Sequence, residues 1–236
     1  MPDLFTLKQV ADRLQLSERT LYRLLQRGQL PAHKIGGQWR FRLSEVDYWL
    51  DIRLGRMGST DLRRLETEAA TRAIALGDAL QPENALIRLP QGTRREVVTA
   101  FVAAVTFPER VDQAALAARV DEREGISSTA TVDGVAFLHT ARWESRALVR
   151  LPLVALGRLT APVDFGAIDG ATTDLLFLLL APDDRAHLTL LAKTARLCRD
   201  PRLLRGLRRA RTGREVVRLV RASEHALFRP HPEGDG

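Results

Sequence analysis

The chain has 236 residues, of which 45% are hydrophobic and 28% are charged, proportions that are ordinary for a protein with a buried core. A net charge of +7 permits a nucleic-acid partner without requiring one. No apolar run reaches the ~20 residues of a membrane span, the first residues lack a signal-peptide pattern, and the single cysteine excludes an internal disulfide and a thiolate metal site. We therefore expect a cytoplasmic protein that has no membrane segment, cofactor or metal.

The first 54 residues are predicted to form three short helices and a hairpin. Thr6 and Gln9 have the spacing of a capping box at the start of the first helix. Ser17 is an N-cap residue type at the start of the second, and Gly28 would end that helix in the left-handed conformation.

A hairpin and the third helix follow. Gly36 and Gly37 predict a two-residue turn between two extended runs. Ser44 and Asp47 repeat the capping-box spacing before a helix over 45–50. Helix, turn, helix and then a basic hairpin is the order of a winged helix-turn-helix.

The residues of this unit that point to DNA fall into two groups. The start of a recognition helix reaches base edges in the major groove, and a basic wing reaches the flanking phosphates. The groove candidates are Arg19, Thr20, Tyr22 and Arg23, and the phosphate candidates are Lys34, Arg40 and Arg42. A solvated, charged helix face beside an ordinary hairpin is the alternative interpretation.

Residues 1–54 resemble the excisionase branch of the MerR-like DNA-binding domains. Three stretches carry the resemblance: SERTLYRLLQRGQLPA, the wing KIGGQWRF and the following SEVDYWL. The resemblance implies that double-stranded DNA is a partner. A single domain of this size binds weakly, so we expect a homodimer on a repeated half-site.

The remaining chain predicts a helical linker over 55–74, a second domain over 75–225 and a polar tail over 226–236. Mixed helices and apolar strands indicate an α/β fold class, α+β overall, with helices packed on a mixed sheet. The strands are predicted at 134–139, 148–159 and 173–182, and the helices at 93–105, 113–125, 186–200, 201–210 and 213–223.

His139 ends an alternating apolar strand, GVAFLH, on the same face as Val135 and Phe137. An imidazole in this position is either a satisfied core group or a reactive group presented at a strand end. The pattern alone leaves both open. The chain has no phosphate-binding glycine loop, and its five histidines are too scattered to suggest a zinc motif.

The second domain is similar to the enzyme IIA domain of the fructose–mannitol class of bacterial phosphotransferase systems, including its nitrogen-regulatory relative. The stretches that carry the resemblance run in order from RVDEREGISSTATVDGVAFLHTARW through ALGRLTAPVDFGAIDG to TDLLFLLLAPDDRAHLTLLAKTARLCRD. The resemblance implies that His139 accepts a phosphoryl group from the phosphocarrier protein, that His187 lies beside it, and that no metal is needed. The family's Arg-Glu pair and following threonine match Arg123, Glu124 and Thr129.

The sequence leaves three classes of function open. The favoured hypothesis is a transcriptional regulator whose IIA-like domain senses metabolic state by phosphorylation of a histidine. The second is a phosphotransfer component of a sugar transport system. The third is an architectural or recombination accessory DNA-binding protein, which the excisionase resemblance allows, or a degenerate sensor that is not phosphorylated. The degenerate sensor stays open because Ala130 and Val132 replace family glycines and Leu138 replaces a proline.

Overall fold

The computed structural model describes residues 4–14, 16–26, 30, 32–42, 46, 74–126, 128–131, 133–140, 149–167 and 170–227. Within these residues the chain forms eight helices and seven strands. None of the described helices is long and apolar enough to cross a membrane. The predicted linker over 55–74 lies outside the described residues except for Ile74.

The N-terminal elements are β1 (Leu4–Phe5), α1 (Leu7–Leu14), α2 (Glu18–Gln26), β2 (His33–Ile35) and β3 (Gln38–Arg42). Strand β1 was not predicted. It pairs antiparallel with β3, which also pairs with β2, so the sheet order is β1-β3-β2. This sheet closes the small domain against α1.

Local hydrogen bonds explain where the first two helices begin. The Thr6 N–H donates to Gln9 Oε1 at 2.8 Å, and the Gln9 N–H donates to Thr6 Oγ1 at 3.3 Å, which confirms the capping box. Ser17 Oγ accepts from the Thr20 N–H at 3.2 Å, as an N-cap does. Gly28, Ser44, Asp47 and the third helix, except for a helical and buried Val46, lie outside the described residues.

The C-terminal elements alternate between helices and strands. They are α3 (Leu76–Ala79), β4 (Leu80–Leu89), α4 (Arg94–Ala104), α5 (Gln113–Ile126), β5 (Val135–Leu138), β6 (Leu153–Val163), β7 (Thr173–Leu180), α6 (Asp184–Leu197), α7 (Pro201–Arg209) and α8 (Gly213–Leu227). The sheet order is β4-β6-β7-β5, with β4 parallel to β6, β5 parallel to β7, and β6 antiparallel to β7. The predicted mixed sheet is confirmed.

Several elements differ from the sequence predictions. Strand β4 was missed, because Pro82 and polar neighbours interrupt its apolar pattern and its pairing with β6 shifts register between Leu80 and Ala85. Strand β6 was predicted over 148–159 but begins at Leu153, since Pro152 has no N–H to donate to a ladder. Helix α8 continues to Leu227, inside the segment predicted as a tail.

Helices cover both faces of the C-terminal sheet. Along β7, Leu175, Phe177 and Leu179 pack with α6, α7 and α8, whereas Leu176, Leu178 and Leu180 pack with α4 and α5. We call these the α6–α8 layer (residues 184–227) and the α4–α5 layer (residues 94–126). Alternation along each strand therefore assigns every side chain to one layer.

Candidate functional site

His139 follows β5 directly and is 3% exposed. Because β5 runs parallel to β7, with Leu138 opposite Leu178, this residue lies at the end of the sheet where β7 leads into α6. Phe137 packs on the α6–α8 layer, and alternation along the strand directs His139 to the same side.

A backbone contact fixes the tautomer of the His139 ring. Its Nδ1 lies 2.7 Å from the carbonyl oxygen of Phe137. A carbonyl oxygen can only accept, so Nδ1 carries the hydrogen and donates it. In the neutral ring the lone pair is then on Nε2, the nitrogen that can act as a nucleophile.

The cap of α6 places a second imidazole beside the first. Asp183 caps this helix: its Oδ1 accepts from the Ala186 N–H at 2.8 Å, and its carbonyl accepts from the His187 N–H at 3.0 Å. The His187 ring is 1% exposed and meets the His139 ring edge-on, with centroids 5.1 Å apart and an interplanar angle of 62°. The structure thus brings together the two histidines that are 48 residues apart in the chain.

Thr129 is held near the site by a carboxylate that the sequence analysis named but gave no role. An antiparallel bridge between Ala130 and Ala136 places Thr129 alongside the last residues of β5. The Thr129 N–H donates to Glu124 Oε1 at 2.7 Å, and its hydroxyl donates to Glu124 Oε2 at 2.8 Å. The hydroxyl proton of Thr129 is therefore directed at Glu124.

Glu124 is a buried acid whose charge interacts with the His139 ring, and 2% of its surface is exposed. Burial raises the pKa of this carboxyl above its ordinary value, while the hydrogen bonds from Thr129 and Ser128 and the nearby His139 ring oppose that shift. Ser128, which sequence reasoning missed, has its Oγ 3.0 Å from Glu124 Oε1 and 2.5 Å from the carbonyl oxygen of Phe165. A hydroxyl four residues after a helical glutamate is the pattern that could have indicated this contact.

The turn that departs from the family pattern is still closed by hydrogen bonds. Gly134 has φ of +74°, and its N–H donates to the carbonyl of Thr131 at 3.2 Å. The Thr131 N–H donates to the carbonyl of Val135 at 2.8 Å. Leu138 is fully buried on the opposite face of the sheet, against the α4–α5 layer, and Arg123 is half-buried near the end of α5.

On the N-terminal domain, α2 presents the four predicted groove residues together. Leu21, Leu24 and Leu25 are buried beneath the helix. Arg19, Tyr22 and Arg23 are exposed and Thr20 is half-buried, and the four line one open concavity. The Thr20 hydroxyl lies 2.9 Å from Ser17 Oγ, so this side chain is shared with the helix cap.

The wing places its basic residues around Trp39. Lys34 pairs with Trp39 across the hairpin, and its Nζ lies 5.7 Å from the ring centroid, within the range of a cation–π contact. The Arg40 guanidinium donates to the carbonyl of Trp39 at 3.0 Å and to Gln38 Oε1 at 2.6 Å. Arg42 ends β3, and its side chain lies outside what the structure describes.

Residues 79–223 match the family described as the phosphoenolpyruvate-dependent sugar phosphotransferase system, EIIA 2. The chain belongs to this EIIA family. Residues 4–51 match a helix-turn-helix domain, so a helix-turn-helix unit is joined to an EIIA domain in one chain.

Relatives of the EIIA domain include two called nitrogen regulatory protein. That of Pseudomonas aeruginosa is 32% identical over 151 residues, covering 62% of this chain and 95% of the relative. That of Bradyrhizobium diazoefficiens is 30% identical over 145 residues, covering 61% and 92%. Each relative is matched by the EIIA part of the chain over almost its full length.

Two solved structures share the EIIA fold. The nitrogen regulatory protein IIA-Ntr of Neisseria meningitidis superposes with a TM-score of 0.55 and 23% identity, covering 61% of this chain and 98% of that one. The IIA mannitol structure of Escherichia coli gives a TM-score of 0.52 and 18% identity, covering 60% and 98%. Both likenesses concern the fold of the EIIA domain.

The candidate site of the EIIA domain holds imidazole, hydroxyl and carboxylate groups. Over the part of the chain that the structure describes, no three or more His, Cys, Asp or Glu side chains form a group that could hold a metal ion. What the arrangement offers chemically is a buried imidazole of fixed tautomer, a second imidazole beside it, and a carboxylate that orients a threonine.

Proposed function

We propose that this chain is a DNA-binding transcriptional regulator whose EIIA domain accepts a phosphoryl group on Nε2 of His139. The observation that carries the proposal is the 2.7 Å contact between His139 Nδ1 and the Phe137 carbonyl, made beside the His187 ring. That contact leaves the lone pair on the nitrogen that has to attack. The EIIA family supplies the reaction class.

The transfer step needs no proton to move. The Nε2 lone pair of His139 attacks the phosphorus of a phosphohistidine on the phosphocarrier protein. The nitrogen–phosphorus bond on the carrier breaks, and its electron pair returns to the carrier's imidazole nitrogen, which leaves as a neutral imidazole when the other nitrogen of that ring carries a hydrogen. Nδ1 of His139 keeps its hydrogen and donates it to the Phe137 carbonyl throughout.

The surrounding residues then have separate roles. His187 donates a hydrogen bond to the phosphoryl oxygens, and Arg123 supplies a charge-assisted contact. Once the Thr129 hydroxyl turns away from Glu124, it donates a hydrogen bond to the same phosphoryl oxygens. Glu124 is a positioning residue, because it holds Thr129 through two hydrogen bonds.

The N-terminal domain would read the operator as a winged helix of the MerR-like, excisionase type. Arg19, Thr20, Tyr22 and Arg23 form the surface that enters the major groove, and the wing residues Lys34, Arg40 and Arg42 contact the flanking phosphates. Four groove candidates lining one open concavity support this role. Useful affinity requires two copies of the domain, so the active form is a homodimer.

Regulation follows from the charge that phosphorylation adds. A phosphoryl group brings close to two negative charges at neutral pH. At a site on the same chain as a DNA-binding surface, that charge shifts either the dimer equilibrium or the affinity for DNA.

The test has two stages. The full chain is incubated with phosphoenolpyruvate, the general phosphotransferase enzyme and the carrier protein, and its intact mass is measured. We expect one phosphoryl group, lost in His139→Asn, which keeps an N–H near the Phe137 carbonyl, and retained in His225→Ala, which changes an exposed histidine of α8. DNA affinity and oligomeric state are then compared between the two forms.

The outcomes separate the three classes of function. No phosphorylation of the wild type, in a mixture that phosphorylates a known EIIA protein, would leave a sensor that is not phosphorylated. Phosphorylation that leaves DNA affinity and oligomeric state unchanged would contradict the regulator. Onward transfer to a sugar-transport partner would instead favour the phosphotransfer component that the EIIA family also allows.

A further inference from the structure

The net charge of the chain is concentrated in one short segment. Residues 199–221 hold nine of the 36 basic residues and two of the 29 acidic ones, leaving 27 basic and 27 acidic residues in the rest of the chain. The entire surplus of +7 therefore lies in the segment that forms α7 and the first half of α8.

The arginines of this segment form two exposed stripes. Along α7 the exposed residues Arg202, Arg205 and Arg209 recur at helical spacing, and along α8 Arg214, Arg218 and Arg221 do the same. The opposite sides of the two helices are buried in the core. Both helices cover the same face of the sheet, so the two stripes share the outer surface of the α6–α8 layer. We call these six residues the arginine face.

Few carboxylates neutralise this face. Arg221 reaches Asp78 at 3.3 Å, but no other ion pair to the arginine face is found among the described residues. The two acids of the segment have other contacts: Asp200 Oδ1 accepts from the Arg202 N–H, and Glu215 Oε2 accepts from the Arg211 N–H. Like charges at helical spacing oppose folding rather than favour it.

A general preference of the chain for arginine does not explain the surplus. Such a preference would raise the basic count everywhere, yet the rest of the chain is balanced. The α4–α5 layer packs on the other face of the same sheet with five basic and six acidic residues between positions 94 and 126. The surplus therefore lies in the segment that carries the arginine face.

We propose that the arginine face binds the phosphate backbone of the DNA duplex beside the operator, a proposal that rests on the DNA-binding function proposed above. Guanidinium groups bind phosphates in bidentate fashion, and such contacts do not depend on base sequence. The face would lengthen the contact that the winged helix makes.

An acidic protein is the less suitable partner. Protein interfaces have an apolar core surrounded by polar residues. The large hydrophobic side chains that are exposed in the described residues are Leu4, Tyr22, Ile35 and Leu151, and none of them lies on α7 or α8. A surface of guanidinium groups without an apolar centre fits a polyanion of regular spacing.

The test compares two variants of the full chain that lose the same charge. The first is Arg205→Gln/Arg209→Gln/Arg214→Gln/Arg218→Gln. The second, the control, is Arg88→Gln/Arg95→Gln/Arg110→Gln/Arg119→Gln, four exposed positions outside the arginine face. Affinity for a ~40-base-pair duplex of mixed sequence is measured against salt concentration, and thermal unfolding verifies that both variants fold.

Each phosphate contact contributes about 0.9 to the slope of log affinity against log salt. We expect the first variant to lose at least two contacts, and so about 1.8 in slope and at least about tenfold in affinity at low salt, while the control keeps the wild-type slope. Equal slopes and affinities for the two variants would overturn the inference and leave the DNA-binding function intact. A wild type that binds no duplex would overturn both.

Discussion

The two helical layers of the EIIA domain bury the same sheet, yet they differ in the features that packing does not require. The α4–α5 layer has nearly balanced charge and lies over Leu176, Leu178 and Leu180. The α6–α8 layer lies over the alternate residues, contributes His187 to the site and holds the arginine surplus. When two layers cover the same sheet, a feature that only one of them has indicates function better than the composition of the whole chain does.

Glu124 qualifies that contrast. It lies in the α4–α5 layer, but its carboxylate holds Thr129 near His139. In both layers, then, helix surfaces pack on the sheet and helix ends contribute side chains to the candidate site. Substitutions at matched positions of the two layers test this difference.

The largest effect is expected at the start of α8. A Cβ at Gly213 would lie 2.0 Å from the carbonyl oxygen of Pro82 and 3.2 Å from that of Ala85, so the helix would have to move away from β4. We expect Gly213→Ala to lower the free energy of unfolding by about 3–5 kcal/mol, measured by urea denaturation. An unchanged unfolding midpoint would show that α8 does not pack on β4 as closely as described.

The second effect contrasts a buried ion pair with a more exposed one. Lys193 Nζ donates to the Ile74 carbonyl at 2.6 Å and lies 3.2 Å from Glu224 Oε1, with 14% and 11% of the two side chains exposed. Lys193→Met leaves the Glu224 carboxylate without the Lys193 cation. We expect the free energy of unfolding to fall by about 2–3 kcal/mol, measured by urea denaturation.

Its counterpart in the other layer is Arg94, which is 3.1 Å from Asp121 with 34% of its side chain exposed. Arg94→Gln should lower the free energy of unfolding by less than about 1 kcal/mol. Equal losses for the two variants would mean that the Lys193 pair is as well solvated as the surface pair.

The third effect concerns pH. Burial raises the pKa of Glu124 above its unfolded value of 4.5, so the folded state holds this proton more tightly than the unfolded state. Its contribution to stability is fully present below pH 4.5 and is lost as pH rises through the raised pKa. Glu124→Gln should remove that decline, measured as unfolding free energy between pH 4.5 and 8.

Glu96 supplies a control of opposite sign in the same layer. Hydrogen bonds from the Thr93 backbone and hydroxyl lower its pKa, so its contribution is present above its unfolded pKa and is lost on acidification. Glu96→Gln should therefore flatten the acid side of the profile. A Glu124→Gln profile parallel to that of the wild type would contradict the assigned burial effect.

The smallest effect is expected near the end of α5. A Cβ at Gly125 would meet one flexible atom, Nη2 of Arg94, at the ordinary distance of 3.5 Å. Gly125→Ala should therefore raise the free energy of unfolding by about 0.5 kcal/mol, because alanine loses less backbone entropy in a helix. A loss comparable to that of Gly213→Ala would erase the distinction between the two positions.

Local chemistry made part of this structure predictable. The capping box of Thr6, the cap at Ser17 and the glycine turn of the wing depend on residues adjacent in sequence, and each forms as expected. Strand β4 depends instead on pairing with β6 across a register shift, which no local pattern encodes.

The site divides in the same way. Alternation along β5 gives the side on which His139 lies, and the family resemblance indicated His187 as its neighbour. The hydrogen bond of the Thr129 hydroxyl to Glu124 follows from how the chain turns after α5, a tertiary relation that residue types alone do not specify. Ser128 was missed for the same reason.

The uneven charge of the two layers also bears on how fast the molecule finds a partner. A surplus of +7 in residues 199–221, on one side of the sheet, and one extra negative charge in residues 94–126, on the other side, amount to an electric dipole across the domain. In the field of a polyanion such a dipole turns the molecule before contact, so encounters begin with α7 and α8 foremost. The association rate then falls steeply with ionic strength, whereas rates of encounters through the opposite side change little.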